Sequence, residues 1–129
     1  MEQEQTNNKK ILVIEDEHFI GELYTRALNK NGYTVKVIAD GIEALKECQT
    51  DQYDLILLDL MIPNMTGFEI LNKLKDPSTT SPVHAKIIIT TNLEQRDEIK
   101  KEIEKKADAY LIKANLTPNE LVDFLSQVK

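Results

Sequence analysis

Polar side chains follow four short apolar runs, and their types could support chemistry. The apolar runs cover residues 11–14, 55–58, 87–89 and 110–112. The residues that follow them are Glu15 and Asp16, Asp59, Thr90 and Thr91, and Lys113. An unpaired charge is costly to bury, so a carboxylate that closes an apolar run, as Asp59 does, calls for a partner. In an open parallel sheet, the carboxyl ends of the strands lie at one edge, where ligands bind.

Three carboxylates at that edge would require a cation. If the first and third strands are neighbours, Glu15, Asp16 and Asp59 come together. Two carboxylates ~4 Å apart repel by about 4 kcal/mol at an effective dielectric constant of 20. A few hard oxygen ligands favour Mg²⁺, which keeps several waters and accepts a phosphate oxygen. With the amine of Lys113 and the hydroxyl of Thr91, the set could stabilise a transferring phosphoryl group, with Asp59 as the nucleophile.

Each of these residues, taken alone, also has a plainer interpretation. An acidic pair after a strand often complements the dipole of the next helix, and a single aspartate often caps a turn or helix. Lys113 alone would be a solvated surface lysine, and Thr91 alone a strand residue. The combination favours the functional interpretation because all of these residues lie at strand ends and in a consistent order.

The elements that would position these side chains alternate along the chain. Strands are predicted at 10–15, 34–39, 54–59, 86–91 and 109–113, with the second at an edge of the sheet. A helical pattern follows each strand, including one around 94–106 and one from about Pro118. Thr117 and Glu120 predict a capping box at the start of the last helix. Five βα units predict a doubly wound α/β fold, a five-stranded parallel sheet with helices on both faces.

Apolar residues at helical spacing indicate which helix faces turn inward. The predicted inward positions are Phe19, Ile20, Leu23, Ala27 and Leu28 in the first helix, Ile42, Leu45 and Cys48 in the second, Phe68, Leu71 and Leu74 in the third, and Ile99 and Ile103 in the fourth. The fourth helix has few such anchors and many charges, so we expect a solvated helix with ion pairs between successive turns.

Length and composition restrict the class of protein. A chain of 129 residues is expected to form one domain over 9–129, after a disordered tail over 1–8. The net charge of −6 argues against direct binding to nucleic acid or to an anionic membrane. One cysteine excludes an internal disulfide, and no apolar stretch reaches the ~20 residues that a membrane span needs. We expect a cytoplasmic protein.

These motifs together resemble the response-regulator receiver domain of two-component signalling, in its single-domain, chemotaxis-regulator-like form. The resemblance covers 9–129 and rests on Glu15 and Asp16, Asp59 with Pro63 and Gly67 four and eight residues later, Thr91, Tyr110 and Lys113. It implies a flavodoxin-like sheet of strand order 2-1-3-4-5. It also implies that a sensor histidine kinase or phosphotransfer protein donates a phosphoryl group to Asp59. The Mg²⁺ that this transfer requires would be held by Glu15, Asp16, Asp59 and the backbone carbonyl of Met61.

The resemblance further implies a switch between the acceptor and a partner surface. Thr91, and not Thr90, fits the family's spacing to Lys113, and the two threonines lie on opposite faces of a strand. Thr91 would move toward the phosphoryl group and Tyr110 would fill the vacated space. A downstream protein target would then bind the face around Tyr110.

Three positions bear on departures from the family and on the lifetime of the phosphorylated state. Ala114 stands where the family usually has proline, often after a cis peptide bond. The sequence therefore does not decide whether the Lys113–Ala114 bond is cis or trans. Met61 and Leu93 lie two residues after the acceptor and the switch hydroxyl, where family members border the path of attacking water. Both are apolar and cannot activate water, which predicts a long-lived phosphorylated state.

Alternative functions remain at this point. The preferred interpretation is a switch with no output domain in this chain. We expect no enzymatic activity other than self-phosphorylation and slow self-dephosphorylation. A degenerate receiver acting as a constitutive protein-binding module is the main alternative. A phosphohydrolase of the haloacid-dehalogenase type would need a second aspartate where Met61 stands. A nucleotide binder would need a glycine-rich loop after the first strand, which is missing.

Overall fold

The computed structural model describes residues 9–78, 82–92 and 97–128, so the predicted tail over 1–8 lies outside the described residues. Five parallel strands form one sheet in the order β2-β1-β3-β4-β5. The strands are β1 (Lys10–Ile14), β2 (Thr34–Ile38), β3 (Leu55–Leu58), β4 (Lys86–Thr91) and β5 (Ala109–Ile112). The predicted doubly wound fold and its strand order are confirmed.

Within the described ranges, five α-helices alternate with the strands. They are α1 (His18–Lys30), α2 (Gly41–Cys48), α3 (Gly67–Leu74), α4 (Asp97–Lys106) and α5 (Pro118–Leu125), with a 3₁₀ turn at Lys113–Asn115. The predicted capping box of Thr117 and Glu120 is present, and the same device begins α3 at Thr66. The predicted start of the fourth helix at 94 lies outside the described residues. No helix in the described part of the chain combines the length and apolarity that crossing a membrane takes.

The two faces of the sheet carry separate apolar clusters because alternate strand residues point to opposite sides. Leu12, Ile56 and Ile87 belong to the cluster that packs against α2, α3 and α4. The intervening residues, such as Val13 and Leu57, pack against α1 and α5. The central strands are therefore buried on both faces, which explains why they read as continuous apolar runs.

Four predicted strands are slightly too long. β1, β3 and β5 end one residue before Glu15, Asp59 and Lys113, and β2 ends at Ile38. At Glu15 and Asp59 the backbone amide still donates to the neighbouring strand, to the Ile38 and Ile14 carbonyls, before the chain turns toward the next helix. The side chains of Glu15, Asp59 and Lys113 therefore lie just beyond the ends of their strands.

Three predicted inward positions are wrong. Phe19, Ile42 and Phe68 are exposed, Phe19 to 68%. Each is the second residue of its helix, so it lies in the turn nearest the sheet edge that holds Asp59. In α1 the buried positions are instead Gly21, Tyr24 and Leu28.

Candidate functional site

The pairing of β1 with β3 brings the predicted carboxylates together. Ile14 pairs with Leu58, so the residues that follow them are neighbours, and the Asp59 amide donates to the Ile14 carbonyl at 3.1 Å. Carboxylate oxygens of Glu15, Asp16 and Asp59 lie within 4.8 Å of one another. Glu15 and Asp59 are buried, at 2% and 4% exposure, whereas Asp16 is exposed.

Lys113 reaches into this cluster from the end of β5. Its Nζ donates to Glu15 Oε1 at 2.7 Å and to Asp59 Oδ2 at 2.8 Å, and its side chain is only 6% exposed. Burial by itself would lower the pKa of Lys113, but the hydrogen bonds to Asp59 and Glu15 outweigh it and hold that pKa above its ordinary value. Lys113 is therefore charged at neutral pH.

Backbone amides bind the other oxygens of the two buried carboxylates. The Glu17 amide donates to Glu15 Oε2 at 3.1 Å, and the Met61 amide donates to Asp59 Oδ1 at 3.0 Å. Burial nevertheless raises the pKa of Glu15, because the bond from Lys113 offsets only part of the desolvation cost. Both carboxylates are thus held in orientation by their surroundings.

The charge and donor types of the cluster fit a divalent cation. Three carboxylates against one ammonium leave two formal negative charges. The donors are hard oxygens, the ligands that Mg²⁺ prefers, and one of them is exposed to solvent. The cluster opens into a cavity of about 500 Å³, which Asp16, Asp59 and Lys113 line together with Met61 and Asn92.

The structure separates the two candidate threonines. Both are buried at the end of β4. Ile87 and Ile89 face α2–α4, so the alternation of the strand places Thr91 on that face and Thr90 on the face of α1 and α5. Tyr110 packs against the α2–α4 cluster, so Thr91 and Tyr110 share a face of the sheet.

The other predicted positions lie around the cavity. Met61 is 58% exposed, on its rim, while Leu93 lies outside the described residues. The Lys113–Ala114 peptide bond is trans, as are the other described peptide bonds.

Two contacts around the site are not predictable from the sequence. Asn64 donates to Asp40 across the gap between two loops, and Lys100 lies 5.3 Å from the ring centroid of Tyr110. A helix-start signal at Asp40 and Gly41 was present, but periodicity does not show which loop lies beside a helix start.

Comparison with known proteins places the chain in a family. The family model described as the response regulator receiver domain matches residues 11–126. The alkaline phosphatase synthesis transcriptional regulatory protein PhoP of Bacillus subtilis is 38% identical over 106 residues, which are 82% of this chain and 42% of that protein. The transcriptional regulatory protein CusR of Escherichia coli is 32% identical over 93% of this chain and 49% of that protein. The chain spans about half the length of the curated relatives it matches.

Solved structures show the same relationship. The chemotaxis response regulator CheY4 of Vibrio cholerae is 31% identical with a TM-score of 0.79, over 95% of this chain and 100% of that chain. The receiver domain of Francisella response regulator 1452 is 28% identical with a TM-score of 0.79, over 92% and 94% of the two chains. Receiver domains are switches activated by aspartate phosphorylation; they bind Mg²⁺ at an acidic pocket and interact with histidine kinases or phosphotransfer proteins. This chain belongs to the response-regulator receiver domain family.

Proposed function

We propose that this chain is a Mg²⁺-dependent phosphorylation switch in which Asp59 accepts a phosphoryl group from the phosphohistidine of a kinase or phosphotransfer protein. The observation that carries the proposal is the ammonium of Lys113, which binds both Asp59 and Glu15 beside the exposed Asp16. A surface lysine or a simple helix cap would not be buried between two carboxylates.

The transfer itself asks little of the protein beyond position and charge. A carboxylate oxygen of Asp59 attacks phosphorus, the phosphorus–nitrogen bond of the donor breaks, and its electron pair stays on the imidazole nitrogen. Lys113 Nζ holds one oxygen of the Asp59 carboxylate by a hydrogen bond of 2.8 Å and so fixes its orientation for attack. Glu15, Asp16, Asp59 and the Met61 carbonyl would hold Mg²⁺, which supplies positive charge to the phosphoryl oxygens.

The switch follows from the new charge on Asp59. Lys113 then pairs with a phosphoryl oxygen, and the hydroxyl of Thr91 is drawn toward the same group. Tyr110, on the same face of the sheet, responds to the displacement of Thr91. This coupling would change the face formed by α4 and β5, to which a downstream protein target binds.

Exposed apolar side chains beside the cavity support docking of a partner protein there. Phe19 at the start of α1 and Met61 after β3 are 68% and 58% exposed. Large apolar side chains at a functional edge are typical of contact surfaces. A kinase or phosphotransfer protein that presents its histidine to Asp59 would cover both.

We also propose that the chain acts on no separate substrate and dephosphorylates itself slowly. Met61 lies on the rim of the cavity and offers no group that could activate water. We expect Met61→Asn to shorten the lifetime of phosphorylated Asp59. Decay that is equal or slower in this variant contradicts the proposed role of Met61.

Incubation with acetyl phosphate, followed by intact-mass measurement, tests the proposed function. With Mg²⁺ the wild type should gain one phosphoryl group, and it should gain none with EDTA or in Asp59→Asn. Beryllofluoride with Mg²⁺ should shift the NMR signals around Asp59. No response to either reagent with Mg²⁺ present would favour the constitutive binding module.

A further inference from the structure

The loop at 61–65, which begins with Met61 on the cavity rim, rests against the start of α2. The Gly41 amide donates to the Pro63 carbonyl at 3.0 Å. A Cβ on Gly41 would lie 2.0 Å from the Met65 carbonyl oxygen, so only glycine permits this approach. The backbone of α2 therefore touches the loop directly.

The residue before Gly41 adds a side-chain link. One carboxylate oxygen of Asp40 accepts the Glu43 amide at 2.9 Å and so caps α2, while the other accepts Nδ2 of Asn64. The bond from Asn64, together with that from Glu43, lowers the pKa of Asp40. Asn64 has a φ of 73°, a left-handed conformation that asparagine adopts more readily than most other residues. Asp40 thus anchors the left-handed residue of the loop to a helix terminus.

The loop is also tied to the carboxylate cluster. The Met61 amide binds Asp59, and the segment that leads to Asp40 touches the cluster where the Glu15 amide donates to the Ile38 carbonyl at 3.0 Å. Asp40 itself does not line the cavity. It is placed to act on the loop and not on the phosphoryl group.

We propose that Asp40 is a positioning residue for the cation site: by holding Asn64, it sets the backbone of 61–65 so that Met61 can serve as a ligand. This inference rests on the proposed function. In this proposal α2 does more than pack against the sheet, because the start of the helix also holds the loop at 61–65 beside the cation site. Groups behind a metal ligand commonly affect affinity in this way.

Titration of the unphosphorylated protein with Mg²⁺, followed by amide NMR shifts, tests the proposal. Asp40→Ser keeps a good helix cap but is too short to reach Asn64. Asn64→Gly removes the partner while still permitting a positive φ. Each change should weaken Mg²⁺ binding about tenfold, the low end for a group behind a metal ligand. The double variant should be no weaker than either single one, because both break the same bond.

A pair of glycine substitutions tests the backbone contact with a matched control. Gly41→Ala should displace the loop and weaken Mg²⁺ binding, since its Cβ meets the backbone oxygen of Met65. Gly21→Ala in α1 places its Cβ 3.3 Å from a methyl group of Val37, away from the loop. This control should leave Mg²⁺ affinity unchanged.

The kinetics separate positioning from a general loss of structure. At saturating Mg²⁺, Asp40→Ser and Asn64→Gly should be phosphorylated by acetyl phosphate as fast as the wild type, so only the Mg²⁺ concentration needed should change. Wild-type Mg²⁺ affinity in both single variants would overturn the positioning role and leave the proposed function standing. A wild type that binds no Mg²⁺ would overturn both.

Discussion

The carboxylate cluster and the α4–β5 face are built in opposite ways. Glu15, Asp59 and Lys113 are buried, and each buried carboxylate has both of its oxygens hydrogen-bonded. In α4, over its described range, Ile103 is the buried residue, and β5 is half-buried along its length. Groups that react must be held in place before the reaction, whereas an element that signals must shift at small cost. The difference suits the first region to chemistry and the second to readout.

The largest effect should come from removing the cation of the buried cluster. Lys113→Met leaves Glu15 and Asp59 buried without a counter-charge, which should lower the free energy of unfolding by about 3–5 kcal/mol at pH 7. Urea denaturation measures the loss. Added Mg²⁺ should restore more stability to this variant than to the wild type, since it replaces the missing positive charge.

The pH dependence of the same variant gives a second, independent reading. Burial already raises the pKa of Glu15 in the folded state, and the loss of Lys113 should raise it further. A raised folded-state pKa favours the folded protein at low pH and ceases to do so as pH rises through that value. The stability deficit of Lys113→Met should therefore shrink on acidification from neutral pH toward the ordinary pKa of glutamate. A deficit that grows would show that the carboxylates are not the source of the loss.

Alanine substitution of two buried isoleucines, one in each region, allows the stability of the two regions to be compared directly. Ile56 in β3 and Ile103 in α4 are both buried in the same apolar cluster. Ile56→Ala should lower the global free energy of unfolding by about 2–5 kcal/mol. Ile103→Ala should cost less globally and should instead accelerate amide exchange within α4, because that helix can open locally. Equal global losses, with no selective exchange in α4, would remove the contrast between the two regions.

A smaller effect should follow the loss of the contact between Lys100 and the Tyr110 ring. The ammonium lies 5.3 Å from the ring centroid, a cation–π geometry worth about 0.5–1 kcal/mol at a partly exposed site. Lys100→Met should shift the ring resonances of Tyr110 in the unphosphorylated protein, and Lys101→Met, at the exposed neighbouring position, should not. If the ring resonances of Tyr110 in Lys100→Met match those in Lys101→Met, then Lys100 makes no cation–π contact that fixes the ring.

The smallest effect is expected for chemical labelling of a buried residue in the native protein. Cys48 at the end of α2 is buried, and desolvation raises the pKa of its thiol to about 12. A thiol reagent at pH 8 should therefore label it only when the protein unfolds. Rapid labelling of the native protein would show that α2, and the loop it supports, opens far more readily than the cluster.

Much of the fold and the site could be predicted from the sequence, because apolar runs and strand ends are local signals. The cluster of Glu15, Asp16 and Asp59 follows from the strand order that the family resemblance implies, and Thr117 with Glu120 marks a helix start. Periodicity failed at Phe19 and its counterparts, since a residue in the first turn of a helix can lie beyond the sheet that covers the rest of that face. The Asp40–Asn64 bond could not be predicted, because it depends on how closely two loops approach.

In the proposed switch, a change at Asp59 reaches Tyr110 through Thr91. The most direct measurement compares NMR shifts on addition of beryllofluoride and Mg²⁺ in the wild type, in Thr91→Ala and in Thr91→Ser. If this coupling holds, we expect shifts around Asp59 in all three proteins, with shifts at Tyr110 and α4 in the wild type and the serine variant only. Full wild-type shifts at Tyr110 in a Thr91→Ala protein whose Asp59 has bound beryllofluoride would contradict it.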